Sequence, residues 1–226
     1  SCSPLRFFVD DDAGDALRPD AVADEQEAIR QALRHPIGSA PLKDVVQAGD
    51  TVAIIVSDIT RLVHTAQMLP VIVDELNQAG VRDEQITVVT AQGTHRAHRP
   101  EEDVIVCGED MVKRVKVVSH DCRDASQLTK IGTTTHGNDV YLDSHVVQAD
   151  KVILTGAVSF HPMAGFGGGR KAVLPGVASY ETIMRNHAMA LTDTFGGGCN
   201  PRCETSLLED NPLHDDMKQA ASLLNP

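Results

Sequence analysis

Lys151–Gly176 reads KVILTGAVSFHPMAGFGGGRKAVLPG, and the order of its parts decides how the chain folds. KVILTG, Lys151 to Gly156, is an apolar run with the character of a buried strand. Glycines at 165, 167, 168 and 169 then remove the Cβ atom at all but one position of a short segment. Such a segment enters φ > 0 regions and brings its N–H groups close to a ligand. Arg170 and Lys171 follow directly, and Pro175-Gly176 turns the chain into a helix expected from Ser179 to about Leu191. A strand, a glycine loop with two cations and a helix together make a seat for an anion, most naturally a phosphate.

The known phosphate motifs do not describe it. A P-loop needs GxxxxGK and then Ser or Thr, whereas Arg170 precedes Lys171 here and Ala172 follows it. A dinucleotide fingerprint needs GxGxxG opening its helix, and here the third glycine is absent and Pro175 intervenes. An irregular surface turn with solvated cations is the competing reading of the glycines alone. Two histidines favour a site: His161 lies ten residues before Lys171 and His187 sixteen after it.

Outward from this stretch, strands alternate with helices. Thr51–Ser57 (TVAIIVS) is a continuous β-branched run, the pattern of a strand covered on both faces. Further strands are expected at Gln85–Ala91 and Arg114–Ser119, with a short hairpin strand at Val140–Leu142. Helices are expected at Ala21–His35, at Gln67–Ala79 with Gly80 as its C-cap, and at Pro100–Cys107. Asp10–Gly14 (DDDAG) reads as an exposed turn. The alternation predicts an α/β fold with a largely parallel, Rossmann-like sheet flanked by helices, and residues 1–226 read as one α/β domain. Polar residues collect just past the strand ends: Asp58 to Arg61, His95 and Arg96, His120 and Asp121, and His161. Ligands of open α/β sheets bind outside the carboxyl ends of the strands, so these segments are expected to share one rim.

Composition narrows the classes. The net charge of −12 argues against a nucleic-acid partner, whose recognition needs basic surface. Aromatic residues make up 3% and Trp is missing, so the core must be built from Val, Ile, Leu and Ala. No run has the length of a membrane span and no signal-peptide segment is visible, which leads to the expectation of a soluble, cytoplasmic protein. The five cysteines are dispersed and odd in number, which is no disulfide framework. Cys199 and Cys203 form a CxxxC that could hold a soft metal but lacks a second pair, and they read as chance thiols in a glycine-rich loop.

Taken together, SDITR, GTHR, FHPMAGFGGGRKAVLPG and the downstream Asn186-His187 resemble the nickel-pincer lactate racemase family. The resemblance runs from about Ala28 to the NPLHDDMKQAA near the end of the chain. It implies a racemase or epimerase of a 2-hydroxy acid that uses a nickel pincer nucleotide, a pyridinium-3,5-bisthiocarboxylic acid mononucleotide. On the matching positions, Lys171 would tether the cofactor and His187 would bind nickel, a combination of soft sulfur and imidazole donors that suits Ni(II). Asp58, Thr60, Arg61, Gly167, Gly168 and Gly169 would surround the cofactor, and Arg61 would also take the substrate carboxylate. His95 and His161 would be the proton-transfer pair while a hydride moves between substrate and cofactor, imidazole being able to accept and return protons near neutrality.

His120 is a candidate for a supporting role, and His98, His136, His145 and His214 read as structural. The chain departs from the family where Leu62-Val63-His64 replaces a usual proline after DITR, and where Gly167 stands for a common serine. The resemblance also implies a second, C-terminal domain for which this chain has no room. Cofactor-biosynthesis proteins and that domain are the implied partners, and self-association through the face it would cover is a further expectation. A non-catalytic phosphate-, nucleotide- or metal-binding module built on GFGGGRK is the alternative.

Overall fold

In the computed structural model, which describes residues 24–226 other than Asp193 and Phe195, the 52–57 run obeys a strict period of two. Val52, Ile54 and Val56 pack into one core cluster and Ala53 and Ile55 into another, all of them buried. The elements in the first half are α1 (Glu25–Arg34), α2 (Leu42–Val45), β1 (Val52–Ser57), α3 (Thr65–Gln78), β2 (Ile86–Ala91), α4 (Pro100–Cys107), α5 (Glu109–Arg114) and β3 (Lys116–Ser119). There follow the strands β4 (Leu128–Thr133) and β5 (Asp139–Asp143), then α6 (Ser144–Val147), β6 (Lys151–Leu154), β7 (Phe160–His161), β8 (Gly165–Phe166), α7 (Tyr180–Ala188) and α8 (Pro212–Leu224). Asp10–Gly14, Cys2 and the first residues of the expected Ala21–His35 helix lie outside the described residues.

The expected parallel sheet is present, with four strands in the order β3-β2-β1-β6, every neighbouring pair parallel. One face carries Leu69, Ile72, Val73 and Leu76 of α3 with Val106 and Met111 of α4 and α5. The other face meets Val146 and Val177. Each such side chain removed from water contributes about 1.5–3 kcal/mol, which is why a chain so poor in aromatics still forms this layer. The register matters for the site. Ser57 pairs with Ala91, whereas β6 stops at Leu154, level with Ile55.

Several boundaries differ from those expected. Arg114 is the last residue of α5, held there by Asp74, Asn77 and Asp83, so β3 is shorter than the expected strand. The 151–156 strand ends at Leu154 because the Thr155 N–H makes the closing bond to Ile55 O and the chain then leaves the sheet. The helix expected to reach Leu191 ends at Ala188, with Ser179 as its N-cap. Gly80 does end α3, with φ +92 just beyond the C-cap Ala79.

The remaining elements form a second packed layer around Val140, Leu142, Leu174, Ile183, Leu213 and Met217. Antiparallel β4 and β5 supply the expected hairpin. Buried Asp216 on α8 accepts bonds from Thr134 Oγ1 (2.6 Å), Asn138 Nδ2 (2.9 Å) and Asn186 Nδ2 (2.8 Å). A carboxylate satisfied in this way ties hairpin, α7 and α8 into one unit. His120, also buried, contacts Asp143 Oδ2 through Nδ1 and Ala178 O through Nε2, both at 3.0 Å. It joins the end of β3 to the hairpin and to the segment that follows the glycine loop.

Candidate active site

The loops after β1, β2 and β6 meet with the start of the second layer around a cleft of about 340 Å³. Its walls include Asp58, Arg61, His95, His161, Gly167, Gly168, Lys171 and His187. Eight of the residues expected at the site are therefore brought together from five separate segments. Thr60 and Gly169 are not on the walls: Thr60 donates through Oγ1 to Asp58 Oδ1 at 2.8 Å, and Gly169 is exposed at the start of a 3-10 turn, Gly169–Ala172. His120 lies behind the cleft and does not reach it.

Asp58 is the first residue past the end of β1 and its side chain is 3% exposed. One carboxylate oxygen takes the Thr60 hydroxyl and the other meets His95 Nδ1 at 2.5 Å. Nδ1–H therefore donates to Asp58, which leaves Nε2 with a lone pair toward the cleft. His161 has the reverse arrangement. Its Nδ1 accepts from the N–H groups of Met163 (3.3 Å) and Ala164 (3.0 Å), so the ring proton belongs on Nε2. Burial, followed by the charges of Lys171 and Arg61, pushes His161 down to about 4, which keeps the ring neutral at pH 7. The two histidines thus offer the cleft one acceptor and one donor.

The glycine loop carries the cations. Gly168 has φ +79, and a Cβ there would stand 3.0 Å from Ala157 O, so only glycine lets the two backbones approach this closely. Gly176 is tighter still, since a Cβ would lie 2.1 Å from Ala172 O and 2.9 Å from Ala91 Cβ. Through its backbone, Gly176 links the lysine turn (Gly176 N to Lys171 O, 3.1 Å) to the loop after β2 (Gly93 N to Gly176 O, 2.9 Å). Lys171 is pushed down to about 8, first by burial and then by the neighbouring charges of Arg61 and Arg170. Arg170 binds the carbonyls of Ala164 and Phe166 through Nη2, while its buried Nε has no partner. Among the described residues, Arg61, Arg170 and Lys171 form no ion pair. Arg61 and Lys171, both on the cleft wall, suit an anionic ligand, with the Arg170 charge close behind them.

On α7, His187 donates through Nδ1 to Ile183 O at 2.9 Å. This leaves Nε2 as the free pole, the arrangement usual for a metal-binding imidazole. Burial, outweighing the carbonyl bond, and the Lys171 charge lower its pKa and keep it in the neutral form that metals need. Among the described residues no three His, Cys, Asp or Glu side chains converge as a metal site. A metal on His187 would have to bring its other donors with it, as a metal held in an organic chelate does. Cys199 is exposed, and Cys203 is buried with Sγ 3.5 Å from Asn211 Oδ1, in keeping with the reading of both as unpaired thiols.

One wall residue escaped the sequence reading. Gln92, buried and on the cleft wall, follows the end of β2, where its polarity resembles that of any loop residue. His98, read as structural, is 1% exposed, stays off the cleft wall and accepts the Ile59 N–H, a backbone partner that leaves no trace in sequence. A larger concavity of about 680 Å³ opens beside α8, lined by His136, Arg202, His214 and Lys218 among others. No strand-end residue reaches it, so size there is not matched by chemistry.

Residues 10–196 match the model of the lactate racemase N-terminal domain. The chain belongs to that family. Within it, the lactate racemase of Thermoanaerobacterium thermosaccharolyticum is 34% identical over 201 residues, 89% of this chain and 46% of that protein. The lactate racemase of Lactiplantibacillus plantarum is 37% identical over 197 residues, 87% of this chain and 45% of the relative. The chain thus spans about half the length of the curated relatives it matches. The structure of the T. thermosaccharolyticum lactate racemase apoprotein superposes with a TM-score of 0.81 over 89% of this chain and 47% of that one. A Thermotoga maritima protein, 22% identical, shares the fold with a TM-score of 0.67 over 88% of this chain and 47% of its own. None of the described helices is long and apolar enough to cross a membrane.

Proposed function

We propose that this chain is the cofactor-carrying half of a lactate racemase-like enzyme, a racemase or epimerase of a 2-hydroxy acid that uses a nickel pincer mononucleotide. One observation carries the reading: His95, His161, Lys171 and His187 come from four segments and line one cleft. The group, when bound, supplies a metal and a hydride-accepting ring. The residues fit it in three respects. Lys171, pushed down to about 8, reaches the neutral amine form at a much lower pH than an ordinary lysine and can then attack as an amine. His187 presents a free Nε2. Arg61 and the glycine backbone line the cleft, Arg61 forms no ion pair among the described residues, and the Asp58 carboxylate beside it is engaged by Thr60 and His95.

The rest of the chemistry belongs to this chain's own side chains. Arg61 offers a planar fork to the substrate carboxylate. His95, steadied by Asp58, takes the hydroxyl proton on Nε2 as the oxygen becomes a carbonyl. His161 supports that oxygen from the other side as a hydrogen-bond donor through its Nε2–H, the polarity that the two amide contacts at Nδ1 impose. Asp58 acts in this reading by orienting His95, because both of its oxygens are engaged within the protein. A reducing, cytoplasmic setting belongs to the proposal, supported by Cys107, Cys122, Cys199 and Cys203 all being free thiols. So do cofactor-biosynthesis proteins and a further domain that closes the cleft.

The test is co-production of the complete protein with cofactor-making enzymes, followed by metal analysis, intact mass and a chiral assay on a panel of 2-hydroxy acids. Nickel, an adduct lost in Lys171→Ala, and interconversion of enantiomers are expected. Adduct and nickel without turnover on any hydroxy acid would leave a binding module and overturn the catalytic reading.

A further inference from the structure

We propose that His98 is the positioning residue that fixes the Asp58–Arg61 turn beneath His95. The inference rests on the reading of His95 and Arg61 as site groups, and it assigns work to a histidine that touches no wall of the cleft.

Beyond Ser57 the first loop has left the sheet ladder, so nothing in β1 itself decides where Asp58 and Arg61 stand. The turn closes on itself through Arg61 N to Asp58 O at 3.0 Å. Two bonds fix it from outside. His95 Nδ1 meets Asp58 Oδ2 at 2.5 Å, and His98 Nε2 accepts the Ile59 N–H at 2.9 Å. Both anchors come from one short segment after β2, three residues apart. His95 is the half-exposed one, its side chain 45% accessible, and therefore a weak anchor on its own. His98 is the buried one.

The orientation of the His98 ring is fully determined. Nε2 accepts from a backbone N–H, so the ring proton lies on Nδ1, which donates to Asp103 Oδ1 at 2.9 Å. Asp103 sits in the first turn of α4. The same turn holds the rest of the segment: Glu102 pairs with Arg96 through two bonds of 2.7 and 2.6 Å and accepts the Arg99 N–H at 2.8 Å. His98 N donates to Ser119 Oγ at the end of β3 at 3.3 Å. A continuous chain of bonds therefore runs from α4 through Asp103 and His98 to Ile59, and from the preceding residue, Asp58, to His95. If the Ile59 bond is lost, the turn is free to carry Asp58 away from His95 and Arg61 away from the cleft.

The first measurement is residue-resolved amide hydrogen exchange on this chain. In His98→Ala the Ile59 amide should exchange about tenfold faster or more, the factor for one net hydrogen bond, while Ile54 and Ile55 in β1 keep their protection. In His98→Gln, whose carboxamide oxygen can accept the same N–H, Ile59 should regain protection. The second measurement is turnover of the complete, loaded enzyme. His98→Ala should lose about tenfold or more in kcat/KM at a temperature where it remains folded, and His98→Gln should recover most of it. Unchanged Ile59 exchange in His98→Ala overturns the proposal, and so does loss of protection throughout β1, which would make His98 a general fold residue. Failure of His98→Gln to restore either readout also overturns it. A wild-type holoenzyme inactive on every hydroxy acid would sink the functional reading, a result separable from the exchange data.

Discussion

Lys171 occupies a place where its charge is disfavoured twice, by burial and by two neighbouring cations. Its folded pKa of about 8 lies below the ordinary 10.5, so between these values the unfolded chain binds more protons and stability rises with pH. Below pH 8 the penalty is fully present. Lys171→Met should therefore be more stable than the wild type at pH 7 in urea unfolding, by an upper bound of roughly 3 kcal/mol. The gap should close as pH approaches 10.5, and a gap that widened with pH would contradict the cause assigned here. At the same scale, His95→Ala and His161→Ala in the complete, loaded enzyme should each lose about 10²–10⁴-fold in rate. A chiral assay reads this, and near-normal turnover by either variant would refute the pairing. These histidines were legible in sequence because each stands beside a strand end or a glycine run. Their opposite ring polarity was not, since it depends on Asp58 and on the Met163 and Ala164 amides.

The lysine turn depends on one tight contact rather than on glycine content in general. A methyl at Gly176 collides with Ala172 O at 2.1 Å, whereas Gly169 has open space around it and only a φ of +49 to contend with. Gly176→Ala should cost about 1–3 kcal/mol or more through overpacking and should shift the Lys171 turn; Gly169→Ala should cost only about 1–2 kcal/mol of backbone strain. Denaturant midpoints decide the order, and equal losses would argue against it. Legibility among the elements follows the same logic of local against distant causes. Buried β1 and β2 announce themselves in continuous β-branched runs. Strand β4 (LTKIGT) does not, because Lys130 and Gly132 interrupt it around a bulge and its partner lies across a hairpin. Helix α5 was hidden because Gly108, with φ +92, ends α4 and starts α5 at once.

At the scale of the molecule, a net charge of −12 coexists with a cleft wall that carries Arg61 and Lys171, neither in an ion pair among the described residues. Anions that enter this cleft should stabilise the fold by mass action. Inorganic phosphate is expected to raise the Tm more than chloride at equal ionic strength, and the difference should shrink in Lys171→Met. An identical response in the two proteins would place phosphate elsewhere. The cleft also owes its depth to strand lengths. Ser57 and Ala91 finish level, while β6 halts beside Ile55 and leaves a gap in the sheet's upper edge that the glycine loop encloses. Altering that gap by a single residue of register would turn every inward side chain of the strand outward. Drift by small steps in pocket depth is therefore closed to this scaffold. Under the proposed reaction, changes in preference would fall on what overhangs the gap, beginning with Leu62-Val63 on the cleft wall, where the chain can vary without disturbing a single ladder bond.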